Sequence, residues 1–306
     1  MQLPPDLVML ERGWLSSNSL LMLGDPRGAV IVDTGYCTHK AQTLALVRGA
    51  LEPVQQPLRL IINTHLHSDH CGGNAHLSNA FDDCSVWIPP GHYHAALDWD
   101  QQVLSYAPTG QQCERFVPTR ALQPDETLVQ GERAWRVLAA PGHDPHSVML
   151  FEPESRVLMS ADALWERGFG IVFPELDGEA GFDEVEHSLD LIESLDVSIV
   201  VPGHGRMFTD VAKALAEARS RLAFFRRHPD RHTRYAAKAL LVFHMLEIGR
   251  CTRAELGAWL DEVPIHWLMW RLHFADRALV DWTNELIGEL TGAGTLRLDG
   301  NTINIR

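Results

Sequence analysis

Short apolar runs rich in β-branched residues recur along the first 205 residues, at 20–23, 29–32, 58–62, 85–88, 136–139, 148–151, 157–159 and 197–201. Gly, Pro, Asn or Asp bounds each run, so each predicts a strand. Residues 38–51 and 183–195 change period. In the second, Val185, Leu189, Ile192 and Leu195 follow Phe182 at steps of three or four, which predicts a helix. Strands and helices mix without strict alternation. That pattern fits a layered α/β protein with mixed sheets better than an eightfold barrel.

After Gly205 the pattern turns helical. Helices are predicted at 210–227 and 234–249, and Thr252-Arg253-Ala254-Glu255 has the form of a capping box that opens a third. Residues 265–290 predict a fourth. The end alternates Leu296 and Leu298, turns at Asp299-Gly300-Asn301, and continues with Ile303 and Ile305, which reads as a hairpin. This is the element order of a winged-helix module. The expected organisation is a larger unit over residues 1–210 and a smaller, mainly helical unit over 211–306. No internal repeat of 20–50 residues is present.

The 306 residues are 45% hydrophobic and 22% charged, which excludes a disordered or fibrous chain. The net charge of −14 is unevenly spread. Residues 211–306 hold 14 Lys and Arg against 11 Asp and Glu, which leaves 12 against 29 in residues 1–210. An acidic body disfavours broad phosphate-backbone binding and suits a binder of divalent cations. The five cysteines form no C-x-x-C pair, so neither a disulfide framework nor a zinc knuckle is expected. The opening MQLPPDLVML has no basic stretch before an apolar core, and no run of 18 apolar residues occurs. A cytoplasmic protein with no membrane partner is the expectation.

The chemistry gathers where strands end. Residues 58–62 run into Asn63-Thr64-His65-Leu66-His67-Ser68-Asp69-His70, and 136–139 run into Pro141-Gly142-His143. Likewise 157–159 lead to Ser160-Ala161-Asp162, and 197–201 lead to Pro202-Gly203-His204. Ligand sites in α/β proteins are built at strand ends. His65, His67 and His143 offer three imidazoles to one ion. Asp69, His70 and His204 offer a carboxylate and two imidazoles to a second, with Asp162 able to bridge. This donor mixture suits zinc, iron, manganese, cobalt or nickel over calcium or magnesium, and two divalent ions, zinc ahead of iron or manganese, are the expected cofactors. The spacing His65-x-His67-x-Asp69-His70 is too tight for one helix face and needs a loop.

This set resembles the metallo-β-lactamase superfamily of metal-dependent hydrolases, over about residues 6–210. Ser17-Asn18-Ser19 and Ile31-Val32-Asp33-Thr34-Gly35 resemble that family's opening strands. The resemblance implies an αββα sandwich with a two-metal site at one edge, and Asp33 supporting the ligand loop from behind. Asp162 stands where the main zinc β-lactamases have Cys, and His67 where the diiron flavoproteins have Glu. Asp144-Pro145-His146-Ser147 departs from the sequence many relatives carry after this histidine. The set is most similar to glyoxalase-II-like hydrolases and to relatives with a C-terminal winged-helix-like module, some of which cut RNA.

The expected activity is metal-dependent hydrolysis of a small-molecule thioester, ester or lactone. A water shared by two ions loses its proton near neutral pH and attacks the carbonyl, with Asp69 and Asp162 orienting it and moving protons. A metal-dependent endoribonuclease and a non-catalytic relative that keeps its metal site are the alternatives. His146, Trp165 and Phe169 are candidate substrate contacts, the last two on the loop after Asp162. A second His-x-His, His92 and His94, lacks a third ligand. The arginine run Arg221, Arg226, Arg227 and Arg231 is the one basic patch, and it predicts a solvated helix face. Trp259, Trp267, Trp270 and Trp282 are expected in the C-terminal core, where a homodimer contact could also form.

Overall fold

The β-branched runs pair into two facing sheets in the computed structural model, which describes residues 2–306. The first sheet holds β1 (Leu7–Leu10), β2 (Ser19–Met22), β3 (Ala29–Val32), β4 (Leu58–Ile62), β5 (Ser85–Ile88) and β6 (Arg120–Ala121), in sequence order. β1 to β3 are antiparallel, and β3 to β6 are parallel. The second holds β7 (Thr127–Gln130), β8 (Arg133–Ala139), β9 (Val148–Glu152), β10 (Val157–Ala161) and β11 (Ile199–Pro202), in the order β11-β10-β9-β8-β7. Among the described residues, only its β10–β11 pair is parallel.

The inner faces meet through Leu20, Val30, Val32, Leu60 and Ile62 from the first sheet and Trp135, Val137, Leu150 and Met159 from the second. Every position of β2, β3, β9 and β10 is buried, because helices cover the outer faces as well. The helices α1 (Lys40–Leu51), α2 (Ser68–Cys71), α3 (Asn74–Ala80), α4 (Tyr93–Asp98) and α5 (Tyr106–Thr109) lie on the first sheet's side. There Val47, Leu51 and Leu77 pack on Ile31, Ile61 and Val86. After α6 (Phe173–Leu176), α7 (Phe182–Ser194) and α8 (Val211–Arg227) cover the second sheet, with Leu189, Ile192, Leu215 and Leu222 against Met149, Phe151 and Leu158. The result is an αββα sandwich followed by a mainly helical C-terminal region.

That region contains α9 (Pro229–Ile248), β12 (Arg250–Thr252), α10 (Arg253–Glu262), α11 (Pro264–His273), α12 (Leu279–Gly292), β13 (Leu296–Asp299) and β14 (Thr302–Ile305). The capping box at Thr252 and Glu255 is made. The single helix expected over 265–290 is two helices. Phe274 ends the first by stacking on Trp282 at 5.1 Å, and Trp270 Nε1 donates to the Arg277 carbonyl at 3.0 Å. Helix α9 starts five residues before 234, with Pro229 in its first turn, where a missing N–H costs nothing. The hairpin gains β12 as a third strand, in the order β12-β14-β13. β1, β6 and β7 were also unexpected. β7 alternates exposed and buried positions around polar Thr127 and Gln130, so it shows no apolar run.

Trp282 is fully buried and Trp259 and Trp270 pack against the C-terminal core, but Trp267 is 47% exposed. Among the described residues, no helix is long and apolar enough to cross a membrane.

Candidate metal centre

The β4 strand ends at Ile62, and α2 begins at Ser68. His65 and His67 therefore sit on a short loop, with His67 extended at the helix start (φ −62, ψ 146). Asp69 and His70 then fall in the first turn of α2. The switch from extended to helical backbone splays these four side chains into two directions. His143 comes from the β8–β9 loop, Asp162 from the end of β10 and His204 from the end of β11.

The structure brings all seven together as three overlapping triads: His65, His67 and His143; His65, His70 and Asp162; and Asp69, His70 and His204. Within each triad one donor atom per residue lies within 4.8 Å of the others. His143 Nε2 is 2.8 Å from His67 Nδ1 and 3.3 Å from Asp162 Oδ2. His70 Nε2 is 3.6 Å from Asp162 Oδ1 and 3.8 Å from Asp69 Oδ2. His204 Nε2 is 3.0 Å from Asp69 Oδ2 and 4.0 Å from Asp162 Oδ2.

Hydrogen bonds behind the rings set which nitrogen faces inward. Asp33 is fully buried and can only accept. It accepts from His70 Nδ1 at 2.7 Å, from Thr64 N at 2.9 Å and from the Thr64 hydroxyl at 2.8 Å. With its proton committed to Asp33, the Thr64 oxygen accepts from His65 Nδ1 at 3.1 Å. His143 Nδ1 donates to the Ile171 carbonyl at 2.5 Å. Nε2 of His65 and of His70 is left buried with no hydrogen-bond partner among the described residues. Buried polar atoms without partners are costly, and converging imidazole lone pairs beside carboxylates are what a divalent transition ion would satisfy. The residues therefore fit one or two such ions.

Charge follows the same geometry. Burial, with His70 and His67 adding to it, drives His65 well below its ordinary value, and burial with His143 takes His67 down to about 3. Burial disfavours the His70 cation too, but Asp33, Asp162 and Asp69 outweigh it and raise this ring well above its usual range. Burial pushes Asp162 up, while His70, His204 and His143 more than reverse that and hold it well below the carboxylate range.

Close backbone approaches position the strand-end ligands. Ala161 takes a left-handed conformation (φ 47) at the irregular end of β10, which turns Asp162 off the strand. A Cβ on Gly203 would lie 2.1 Å from Asp162 Oδ1, and one on Gly170 would lie 2.4 Å from His143 Nδ1. Asn18 Nδ2 donates to the carbonyls of Pro202 at 2.9 Å and Gly205 at 2.8 Å, which pins the His204 loop.

The centre opens into a cleft. Trp165 lines it, and its Nε1 donates to Asp162 Oδ1 at 3.1 Å. The other two expected substrate contacts lie elsewhere. Phe169 is buried in the core against Phe225, and His146 is exposed beside His92 with ring centroids 4.6 Å apart. His94 is exposed. Within the basic run Arg226 and Arg231 make ion pairs, while Arg221 lies over the Tyr235 ring at 4.4 Å and Arg227 bonds the Ala223 carbonyl. Arg226 meets Asp183 and Glu186, and Arg219 and Arg234 flank the run with Asp190, Glu193, Glu285 and Glu289.

Two contributors escaped the sequence reading. Trp14, 59% exposed, stacks on His204 (5.3 Å between centroids, planes 8° apart). Helix α9 forms a whole wall of the cleft. Its signal was present in the chain: besides the core-facing Ala236, Leu241 and Met245, it carries a second apolar stripe.

The model of the metallo-beta-lactamase superfamily matches residues 12–204, well over half the chain. An acyl-coenzyme A thioesterase, MBLAC2 of Gallus gallus, is 27% identical over 209 residues, 63% of this chain and 73% of that protein. The hydroxyacylglutathione hydrolase GloC of Haemophilus influenzae is 26% identical over 200 residues, 63% of this chain and 87% of its own. In fold, a metallo-beta-lactamase family protein from Thermus thermophilus superposes with a TM-score of 0.58 at 19% identity, covering 100% of both chains.

Proposed function

The chain belongs to the metallo-beta-lactamase superfamily, and from that premise we propose that it is a two-metal hydrolase of small-molecule thioesters, esters or lactones. The observation that carries this reading is the pair of buried, unpartnered imidazole nitrogens on His65 and His70, set among five further donors at the floor of a cleft. In this reading His65, His67 and His143 hold one ion. Asp69, His70 and His204 hold the second, and Asp162 lies between them. Zinc is the proposed metal, with iron or manganese as alternatives. Ions held there would supply Lewis-acid polarisation of a carbonyl oxygen and acidify a water.

The chain's own groups do the rest. Asp69 and Asp162 face the space between the two histidine sets and are placed to orient a water and carry its proton. The Trp165 indole N–H holds one oxygen of Asp162, which leaves the other to face His143 and His204. Trp14 and Trp165 shield the His204 side from bulk water. The names of the relatives, an acyl-coenzyme A thioesterase and a hydroxyacylglutathione hydrolase, favour a thioester or related acyl substrate. The acidic balance of residues 1–210, 12 Lys and Arg against 29 Asp and Glu, argues against an RNA substrate.

A panel of thioesters, activated esters and lactones, offered to zinc-loaded protein, tests the reading. The expected result is turnover of at least one class, lost on chelation and restored by zinc. Absence of turnover across the panel in protein that holds its metal would overturn it.

A further inference from the structure

The cleft is chemically divided. At its floor are His67, Asp69, His143, Asp162 and His204; its far wall is the α9 stripe. Tyr235, Ala239, Val242, Phe243 and Leu246 recur at helical spacing along that stripe and are half-buried. The other face of the same helix is buried in the C-terminal core. The fold covers the stripe only in part, and its remaining apolar surface faces a cavity.

This wall is fixed in place. Phe243 and Leu246 pack on Leu15, Tyr36 and Cys37, and the Tyr36 and Phe243 rings meet edge to face at 5.1 Å. His232 Nε2 accepts from the Val172 N–H at 3.1 Å and ties α9 to the loop that carries Ile171 and Phe173. Among the described residues, no Lys or Arg lines the cleft. A preformed apolar wall beside a polar reaction centre selects an apolar ligand group by removing its surface from water.

Building on the hydrolase reading, we propose that the α9 stripe is the acyl subsite and that the preferred substrates carry an apolar acyl chain longer than acetyl. Ala239, the smallest member of the stripe, leaves the room for that chain and acts as a specificity-determining residue.

The test keeps one leaving group constant and varies the acyl chain from acetyl to decanoyl in zinc-loaded protein. The kcat/KM is expected to rise roughly fourfold per methylene over the first several, the effect of burying one CH₂. In Ala239→Trp the octanoyl-to-acetyl ratio is expected to collapse by tenfold or more. Val242→Thr, of nearly the same shape but with a hydroxyl in place of a methyl, is expected to lower it severalfold. Binding of straight-chain carboxylates from acetate to decanoate, followed by calorimetry, reads the subsite without turnover. Its affinity is expected to climb with length in the wild type and to stay flat in Ala239→Trp. Flat profiles in the wild type, or a length dependence that follows the leaving group and ignores the acyl chain, would overturn the subsite. If nothing is hydrolysed but carboxylate affinity still climbs with length and loses that dependence in Ala239→Trp, the hydrolase reading fails and the subsite stands. Hydrolysis indifferent to acyl length does the reverse.

Discussion

Asp33 accepts the Nδ1 proton of His70 at 2.7 Å and, through the Thr64 hydroxyl, also fixes the His65 ring. One carboxylate thus sets the tautomer of two imidazoles that the proposed site assigns to different ions. It does so from a left-handed backbone (φ 59), a conformation costly for a non-glycine residue and kept where the surroundings impose it. Asp33→Asn keeps the shape and removes the charge. Metal affinity is expected to fall 10- to 100-fold, measured by competition with a chelator, with the fold retained. Wild-type affinity in the variant would show that Asp33 has no hold on the centre.

Gly203 leaves no room for a side chain beside Asp162. Gly203→Ala would drive a methyl group to within 2.1 Å of Asp162 Oδ1, so the carboxylate must move. A displacement on the order of 1 Å in a catalytic group costs about 100-fold in rate. The expected kcat is accordingly about 100-fold lower, with thermal stability little changed. A kcat within twofold of wild type would mean that Asp162 does not need its present position.

His232 links acid stability to the α9 wall. Burial, with Arg221 and His273 adding to it, holds this histidine down at about 4, and its neutral ring accepts from Val172. A folded value below the unfolded one gives stability that is complete above about pH 6.5 and is lost as pH falls toward 4. The expected loss is on the order of 3 kcal/mol across that window. Urea unfolding at pH 7 and pH 4.5 should show a larger drop for wild type than for His232→Gln. Equal drops would contradict the assignment.

A second cleft meets the first at His67, Ser105, Thr109 and Phe173. Asp144, Asp177 and Glu179 line it, and Arg271 lies outside, over the ring of Trp267 at 5.2 Å. A leaving group that occupies it meets negative charge. With the acyl chain held constant, a thioester of a neutral thiol is expected to outperform one of coenzyme A severalfold at low salt, and the gap should narrow as salt rises. A coenzyme A ester preferred at all salt concentrations would count against this route.

The ligand residues were legible in the chain because each strand end carries its donor next to a turn signal, as in Pro202-Gly203-His204. The layered α/β class was legible because buried strands such as 29–32 and 58–62 are mostly Val, Ile and Leu, and the sandwich itself was implied by the family resemblance. What stayed hidden depends on distant packing. Nothing near Phe169 distinguishes it from Trp165, yet one turns into the core and the other toward Asp162. The break at 274–278 carries no Gly or Pro, and the Phe274–Trp282 stack makes it. The role of α9 in the cleft follows from the way the C-terminal region folds back, which periodicity alone does not report.

The proposed centre holds two ions joined by Asp162. Elemental analysis of protein purified without chelator, with Asp162→Ala alongside, counts them. About two transition-metal ions per chain are expected in the wild type and fewer in the variant. One ion or none in the wild type, or equal content in the two proteins, would contradict it.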